Sequence, residues 1–486
     1  PSLLADPFFV ALAGGDLPPR RTGGHYLPST SNFVADAETS PLIDAADPAM
    51  AWTNEPAPNG SRANIGIYGG TEFASRTSTN VGSFVLLSFN QGGIASGVQT
   101  LKWMAQGEVF TTAVYTVNIQ ISTNSGAAGS FVTIGTNLAL AGSFDWDTTA
   151  FPSIPTLRWQ VQCRQNLSWT NASQRDFAIR NSNLVYYVND ASTNDDVYCS
   201  AGGSATNTGL RADMPLDSLA AVLDRYDLEP GDEVRIDTGQ YGGSTTAIGF
   251  LDSGTSNAPV VIRGSTNAAG TTFSGAGVRI ENARGLLLKN IRFQSPNPAG
   301  AEIRSSEDVV MEHVDMLGGG NGALITSCSN VLMRNFSVAW ALTNGVASVL
   351  SYNTRLEFGT IWSNGLAQVR AQNSMTGVGA GNTNASLSVS NCILGAFGIR
   401  VPIYELRGTL YANYNDLYLA NGALAALSYE SGFAREFDSV GVWASSDFGQ
   451  DAMSLSHDPL FAAVYAGDFH LKSTAGRWIP EIGGRT

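Results

Sequence analysis

Two carboxylates and an imidazole, Asp308, His313 and Asp315, fall close together in this 486-residue chain. Groups of this kind move protons or hold a hard cation. Inverting glycoside hydrolysis needs paired carboxylates about 6.5–9.5 Å apart. Proton abstraction beside a uronate needs carboxylates that gather calcium, together with a Lys or Arg base. Around Asp308 and Asp315 the neighbouring repeats offer Arg284, Lys289 and Asn330 where further carboxylates would have to stand. No adjacent pair of aspartates occurs between Gly277 and Phe437. His313 alone reads as a strand or surface histidine. A second acidic cluster, Asp190, Asp195 and Asp196, lies in "NDASTNDD". Calcium binding there competes with ordinary turn and cap chemistry. The residues thus predict no catalytic, cofactor-binding or metal site, with calcium at this loop as the one alternative.

The elements that carry these side chains repeat. Gly277, Gly300, Gly322, Gly345 and Gly365 open successive stretches at spacings of 23, 22, 23 and 20. Each stretch contains alternating β runs such as "LLLKNIRF", "VVMEHVDM" and "VLMRNFSV". A period in the low twenties indicates a solenoid, and the pattern of leucine-rich repeats is absent. Leu287, Val310, Leu332 and Leu356 hold one offset and are expected to form an inward column, so that Leu332→Asp would cost several kcal/mol (on the order of a buried unpaired charge). Upstream, "PLDSLAAVLDRY" predicts a helix with Pro215 in its first turn. Leu216, Leu219, Ala220 and Leu223 would be its apolar face. The order "YYVNDASTNDDVYCSAGG", helix, "LEPGDEVRIDTGQY", then coils resembles the opening of right-handed parallel β-helix proteins, with the helix as cap. Many of those proteins are polysaccharide lyases or glycoside hydrolases, which the resemblance brings in as an alternative function. "RVPIYELR", Arg400 to Arg407, resembles an Arg-x-Pro lyase signature.

Residues 84–182 read as six or seven short strands, the size of an immunoglobulin-like sandwich. Trp103, Trp146 and Trp159 each sit inside an alternating strand and are expected in its core. The pattern resembles the β-sandwich of the Ser-Thr-rich glycosyl-phosphatidyl-inositol-anchored membrane family, which also occurs in bacterial surface proteins. Leu101 and Trp103, then Val117, Ile119, Ile121, Ser122 and Gly126, match its early strands. Gly142, Ser143 and Trp146, then Asp176, Phe177 and Ile179, match its later ones. "FNQGG" stands where that family opens with "PNGG".

Residues 1–83 are rich in Pro, Gly, Asn and Asp and show little periodicity, which predicts loops with a few short strands. Gly66, Gly69 and Gly70 are expected to supply positive φ. "SPLIDAADPAMAWTNEPAPNGSRANIGIYGGTEFAS" resembles the tail that follows parallel β-helices in large bacterial surface proteins. The start of this segment also has a second copy. "ADPFFVALAGGDLPPRRTGGHYLP", from Ala5 to Pro28, aligns without gaps on "HDPLFAAVYAGDFHLKSTAGRWIP", from His457 to Pro480, with nine identities in 24 positions. A chain that begins and ends inside one motif reads as one period of something longer. The segment 1–83 is then expected to dock on a β-helix end, and the third domain to run over 183–486.

Composition bounds the partners. Only 14% of residues are charged, the formal net charge is −14 and the pI is near 4.7. Phosphate binding needs a basic face, so nucleic acid is excluded as a partner. No apolar run approaches the length of about 18 residues that a membrane-spanning helix requires, so none is expected. No signal sequence opens the segment; on an extracellular reading it would lie upstream. Cys163, Cys199, Cys328 and Cys392 lack zinc spacing and read as buried thiols. Cys328 and Cys392 lie about three coils, roughly 14 Å, apart along the axis, too far for a disulfide. The sequence reading is an all-β structural repeat unit of a bacterial extracellular surface protein or filament, associating head to tail with its own kind. The alternatives are a polysaccharide-active enzyme and a glycan-binding adhesin using Trp340, Tyr352 and Trp362.

Overall fold

The computed structural model describes residues 6–11, 16–372, 385–430, 433–479 and 484–485. They fall into two compact units, Pro1–Ser182 and Asn183–Thr486.

In the first unit two antiparallel sheets enclose an aromatic core. One contains Ser83–Leu86, Val98–Gln106 and Gly142–Asp147. The other is built around Ile154–Cys163, flanked by Thr116–Ser122 and Phe177–Ile179. Alternation along Ile154–Cys163 sends Leu157, Trp159, Val161 and Cys163 inward. Trp103, Trp146 and Trp159 are all buried. The indoles of Trp103 and Trp159 donate to the carbonyls of Leu140 (3.0 Å) and Ser88 (2.9 Å), which satisfies their polar tips inside the sandwich.

Residues preceding Ser83 pack on this sandwich mostly through polar groups. The Gln106 side chain donates to the carbonyls of Pro41 and Ile43, and Glu108 accepts from the Gly60 amide at 2.9 Å. Ala45, Val85 and Met104, with Leu87 beside them, make a small apolar contact there. The interior of the segment is instead a polar network around Arg21, Asp44, Glu55, Asn64 and Ser75, all buried. Gly66 and Gly70 adopt positive φ (121° and 72°), as expected. Gly69 does not; a side chain there would collide with the Asn64 carbonyl, so close approach is what requires glycine.

The second unit is an all-β solenoid of parallel coils with three faces. Its first face begins with Val185–Val188 and Glu233–Ile236 and runs to Thr409–Asn413. Two inward columns fill the core behind it, Leu286–Val309–Val331 and Leu288–Met311–Met333–Leu356, every member almost wholly buried. This corrects the expected column. Leu287, Val310 and Leu332 face outward, half-exposed, and are continued by Arg355; Leu356 belongs to the inward column next to it. Between first and second faces six successive coils bend at one residue of positive φ: Asn290, His313, Asn335, Phe358, Asn391 and Tyr414. Three of the six are Asn, whose short polar side chain tolerates that conformation.

Gly277, Gly300, Gly322 and Gly345 do stack at the start of the third face, where each leaves no room for a side chain against the coil above. Gly365 is outside this stack; the register puts Gln368 there. The capping helix is shorter than expected. It spans Leu219–Arg225, with Ser218 capping it by accepting from the Ala221 amide at 3.2 Å. Leu219 and Val222 are its buried residues, and Ala220 is exposed. Pro215 precedes the helix, and Leu216 bridges in parallel to Val188. A serine able to cap three residues into the run thus outweighs the proline signal. The four cysteines are all reduced; Cys199 is half-buried, the other three buried. No described helix is long and apolar enough to cross a membrane.

Candidate functional site

The solenoid separates the carboxylates that the sequence places together. Asp308 lies on the first face, where it accepts from the Asn330 amide (3.0 Å), which in turn accepts from that of Asn353 (2.9 Å). Asp315 lies past the bend on the second face, held by Arg292 (3.2 Å) and the Ser337 hydroxyl (2.6 Å). His313 stands at the bend itself, 3.5 Å from the Asn335 amide. His313, Asp315, Asn290 and Arg292 share a cleft of about 310 Å³ beneath residues 265–272. Its acid is thus already ion-paired.

Three arginines further along are engaged in the same way. Arg400 pairs with Glu436. Arg407 reaches Glu405 at 3.2 Å while its guanidinium lies 4.0 Å above the Tyr429 ring, and Arg370 shares the same glutamate at 3.8 Å. Arg284 and Lys289 lie in register with Glu307 and Glu312. Arg370, Arg400 and Arg407 are thus taken up in ion pairs, whereas Arg284 and Lys289 are set beside glutamates by the strand register alone.

Asp190, Asp195 and Asp196 come close in space without converging on one point. Asp190 accepts from the amides of Ser192 (2.7 Å) and Gln240 (3.0 Å), and Asp196 from the side chain of Asn189 (2.7 Å). Burial, then the charges of Asp237, Asp190 and Asp195, raises the Asp196 carboxyl above its ordinary pKa. Among the described residues no group of three or more His, Cys, Asp or Glu is arranged to hold a metal ion. The organiser of the loop is Asp237, which the sequence reading missed. Its buried carboxylate accepts from the amides of Val197, Tyr198 and Cys199 at 2.6–2.7 Å. Asp190 and Asp237 are thus engaged in turn and cap hydrogen bonds.

The aromatics are a further correction. Trp362 is 7% exposed, and Trp340 is partly buried; of the three, Tyr352 alone is exposed. Trp362 lies 5.6 Å from Tyr418 with rings 9° from parallel, and 5.0 Å from Phe397. Phe461 caps it edge-on at 4.9 Å, and Phe469 covers Trp340 at 5.8 Å. Both phenylalanines belong to the C-terminal repeat of the duplicated motif. Its hairpin is the lid of an aromatic column on the solenoid's second face.

The duplicated motif has one structure in both places. Phe9–Ala11 pairs with Asp16–Pro19 in the register Phe9↔Pro19 and Ala11↔Asp16. Phe461–Ala463 pairs with Asp468–Leu471 as Phe461↔Leu471 and Ala463↔Asp468, every position displaced by the offset of the sequence alignment. A second hairpin follows with the same offset: Leu27↔Asn32 becomes Ile479↔Gly484. Asp6 and Asp458 each accept, at 2.9 Å, from the amide two residues on. Phe8 and Leu460 have φ of 46° and 51°, and Gly24 and Gly476 of 108° and 94°. This agreement extends beyond the aligned stretch, where sequence identity has faded.

What supports the two copies differs. The N-terminal copy is closed by residues 36–77. Asp36 accepts from the Arg21 amide (2.6 Å) and pairs with His25 (2.8 Å). Ser75 donates to the Pro19 carbonyl at 2.9 Å, and Arg21 faces Asp44 at 3.8 Å. Burial lifts the Asp44 carboxyl to about 6 although Arg21 and the Thr77 hydroxyl (2.5 Å) hold it down. Burial likewise lowers the Arg21 guanidinium to about 10. Phe9 is half-exposed and Leu17 is exposed in this copy, where Phe461 and Phe469 are their counterparts.

The comparison with family models agrees on the fold. A family model described as the right handed beta helix region matches residues 276–422. No curated protein matches the chain. A rhamnogalacturonan lyase structure is 12% identical, with a TM-score of 0.36 over 52% of this chain and 79% of that one. A GH87 alpha-1,3-glucanase catalytic domain is 12% identical, with a TM-score of 0.30 over 71% and 62%. PfbA, a surface adhesin of Streptococcus pneumoniae, is 9% identical, with a TM-score of 0.21 over 43% and 85%. The parallel register and the family match together make the second unit a right-handed parallel β-helix.

Proposed function

We propose that this chain is a structural unit of an extracellular bacterial surface assembly, and that units associate head to tail through the duplicated module. One observation carries the reading. The C-terminal hairpin seats Phe461 and Phe469 on the aromatic column of a β-helix, and the N-terminal hairpin repeats its register while leaving Phe9 and Leu17 accessible. The matching platform for Phe9 and Leu17 is the β-helix end of a preceding unit, whether joined covalently or as a separate copy. Burying what remains exposed of the two side chains there would contribute on the order of 1 kcal/mol each. A contact of this type does not close on itself and propagates as a filament. The low fraction of charged residues and the acidic balance suit an exposed, non-nucleic-acid-binding role. The pairing of the solenoid's acids with neighbouring arginines favours this reading over catalysis on a polysaccharide.

Sedimentation velocity and negative-stain microscopy of the full chain test it. The wild type is expected to form end-to-end oligomers as concentration rises, and the double substitution Phe9→Ser, Leu17→Ser to abolish them with the circular dichroism unchanged. A wild type that stays monomeric, or a double variant that assembles equally well, would overturn the proposal.

A further inference from the structure

The outward side of the solenoid's first face carries a pattern that the head-to-tail reading does not use. Leu287, Val310 and Leu332 stack in register as an apolar stripe, half-exposed, along a groove of about 410 Å³. Two residues further along each strand stands a charged column, Lys289, Glu312, Arg334 and Glu357, which Arg263 precedes and in which Arg334 also reaches Glu312 of its own chain at 2.9 Å. On the other side of the stripe runs the polar ladder Asp308, Asn330 and Asn353. The second face has its own cover in the hairpin of Phe461 and Phe469, whereas this stripe of aliphatic side chains is left partly in water. Contiguous apolar surface rimmed by polar groups marks an interaction site.

The order of the charges identifies the occupant. Read down the coils it is plus, minus, plus, minus; read up, every sign is reversed. A two-fold axis lying in the plane of the face, parallel to the strands and between the coils of Glu312 and Arg334, sets a second copy opposite in reversed coil order. Lys289 then meets the second copy's Glu357, and Glu312 meets its Arg334. Val310 meets Leu332, Leu287 meets the Arg355 that continues the stripe, and Asp308 meets Asn330. Because coils rise by an equal step of about 4.8 Å, the pairing stays in phase across all four coils. Moving the axis onto the coil of Glu312 would set Lys289 against Arg334, so the charges exclude an axis on a coil, and the axis between Glu312 and Arg334 pairs all four. Tyr352 and Phe358, both more than half exposed, fall at the rim opposite Arg284 and Asn290. We infer that this face is an isologous interface, and that two copies of the chain pair side by side through it.

The test is a charge swap in the full chain carrying Phe9→Ser and Leu17→Ser, which removes end-to-end contacts and leaves the face untouched. In that background, sedimentation equilibrium is expected to show a dimer. Lys289→Glu alone, or Glu357→Lys alone, sets like charges opposite each other twice and should weaken dimerisation at least tenfold. Mixing the two variants restores opposite charges at both contacts, so an equimolar mixture should recover a heterodimer of near wild-type affinity. Each variant is folded separately before mixing, so an effect on folding cannot mimic the recovery. A monomeric parent, single variants that dimerise as well as the parent, or a mixture that fails to recover would each overturn the inference.

Discussion

One hairpin, built twice, rests on opposite kinds of support. In the C-terminal copy Phe461 and Phe469 lie on Trp362, Trp340 and their aromatic neighbours, an almost purely apolar seat. In the N-terminal copy the same backbone is held by Asp36, Ser75 and the buried pair Arg21 and Asp44. The conformation survives the exchange because its determinants are local. An aspartate accepts from the amide two residues on, the residue donating that amide takes positive φ, and a glycine turns the chain before the second hairpin. The difference teaches that the motif is a self-sufficient connector whose face can be turned to either surroundings.

The largest effect expected is at the apolar seat. Trp362→Ala should cost about 3–5 kcal/mol in urea unfolding of the second unit, since it empties the centre of the aromatic column. The hairpin around Phe461 should also become accessible to proteolysis. Stability unchanged within error would mean the hairpin is held by its backbone alone, as in the other copy.

In the polar copy Arg21→Ala should cost less, about 2–3 kcal/mol, because Asp44 is already disposed to take up a proton and shed its charge. The same carboxyl gives this copy a pH dependence. Its folded pKa of about 6 lies above the ordinary carboxylate value of 3.8, so from pH 4 to 6 the folded chain keeps a proton that the unfolded chain has released. This contribution to stability is therefore greatest at the acid end, falls as pH rises through that window, and levels off above about 6. Thermal melts of the wild type and Asp44→Asn between pH 4 and 7 should diverge in that sense. Parallel curves would show that the carboxyl is not buried as described.

The smallest effect concerns what the copies share. Gly24→Ala and Gly476→Ala, both at positive φ, should each cost about 1 kcal/mol. A much larger loss at Gly24 would assign the turn to its surroundings rather than to local sequence.

Much of the architecture was legible because it is periodic. The solenoid, its coil length and the sandwich tryptophans all follow from spacing. The facing of the coils was not, since Leu286–Leu288, Val309–Met311 and Val331–Met333 are each three apolar residues in a row. A two-residue alternation cannot assign such a run, and the middle residue proves to be the one facing out. Trp362 was equally opaque, because its cover arrives from Phe461, several coils further along the chain. Gly395 held a clue, since any side chain there would strike the Trp362 ring. The buried network around Asp44 joins Arg21, Asn64 and Thr77 at separations with no period at all.

The coil register has a further consequence for how such a chain can change. Thr354 follows Val331 in the stack after a coil of ordinary length, but the path from Thr354 to its own successor, Leu387, is distinctly longer. Ile361 and Leu394 on the second face are separated by the same lengthened interval, and pairing resumes on both faces with no slip. Extra sequence is thus admitted within one coil at no cost to the ladder on either side. Loop closure grows only slowly with length, so such an inserted stretch is cheap to carry. A β-helix of this register can accordingly take in and try new sequence between its coils while its ladders stay the same.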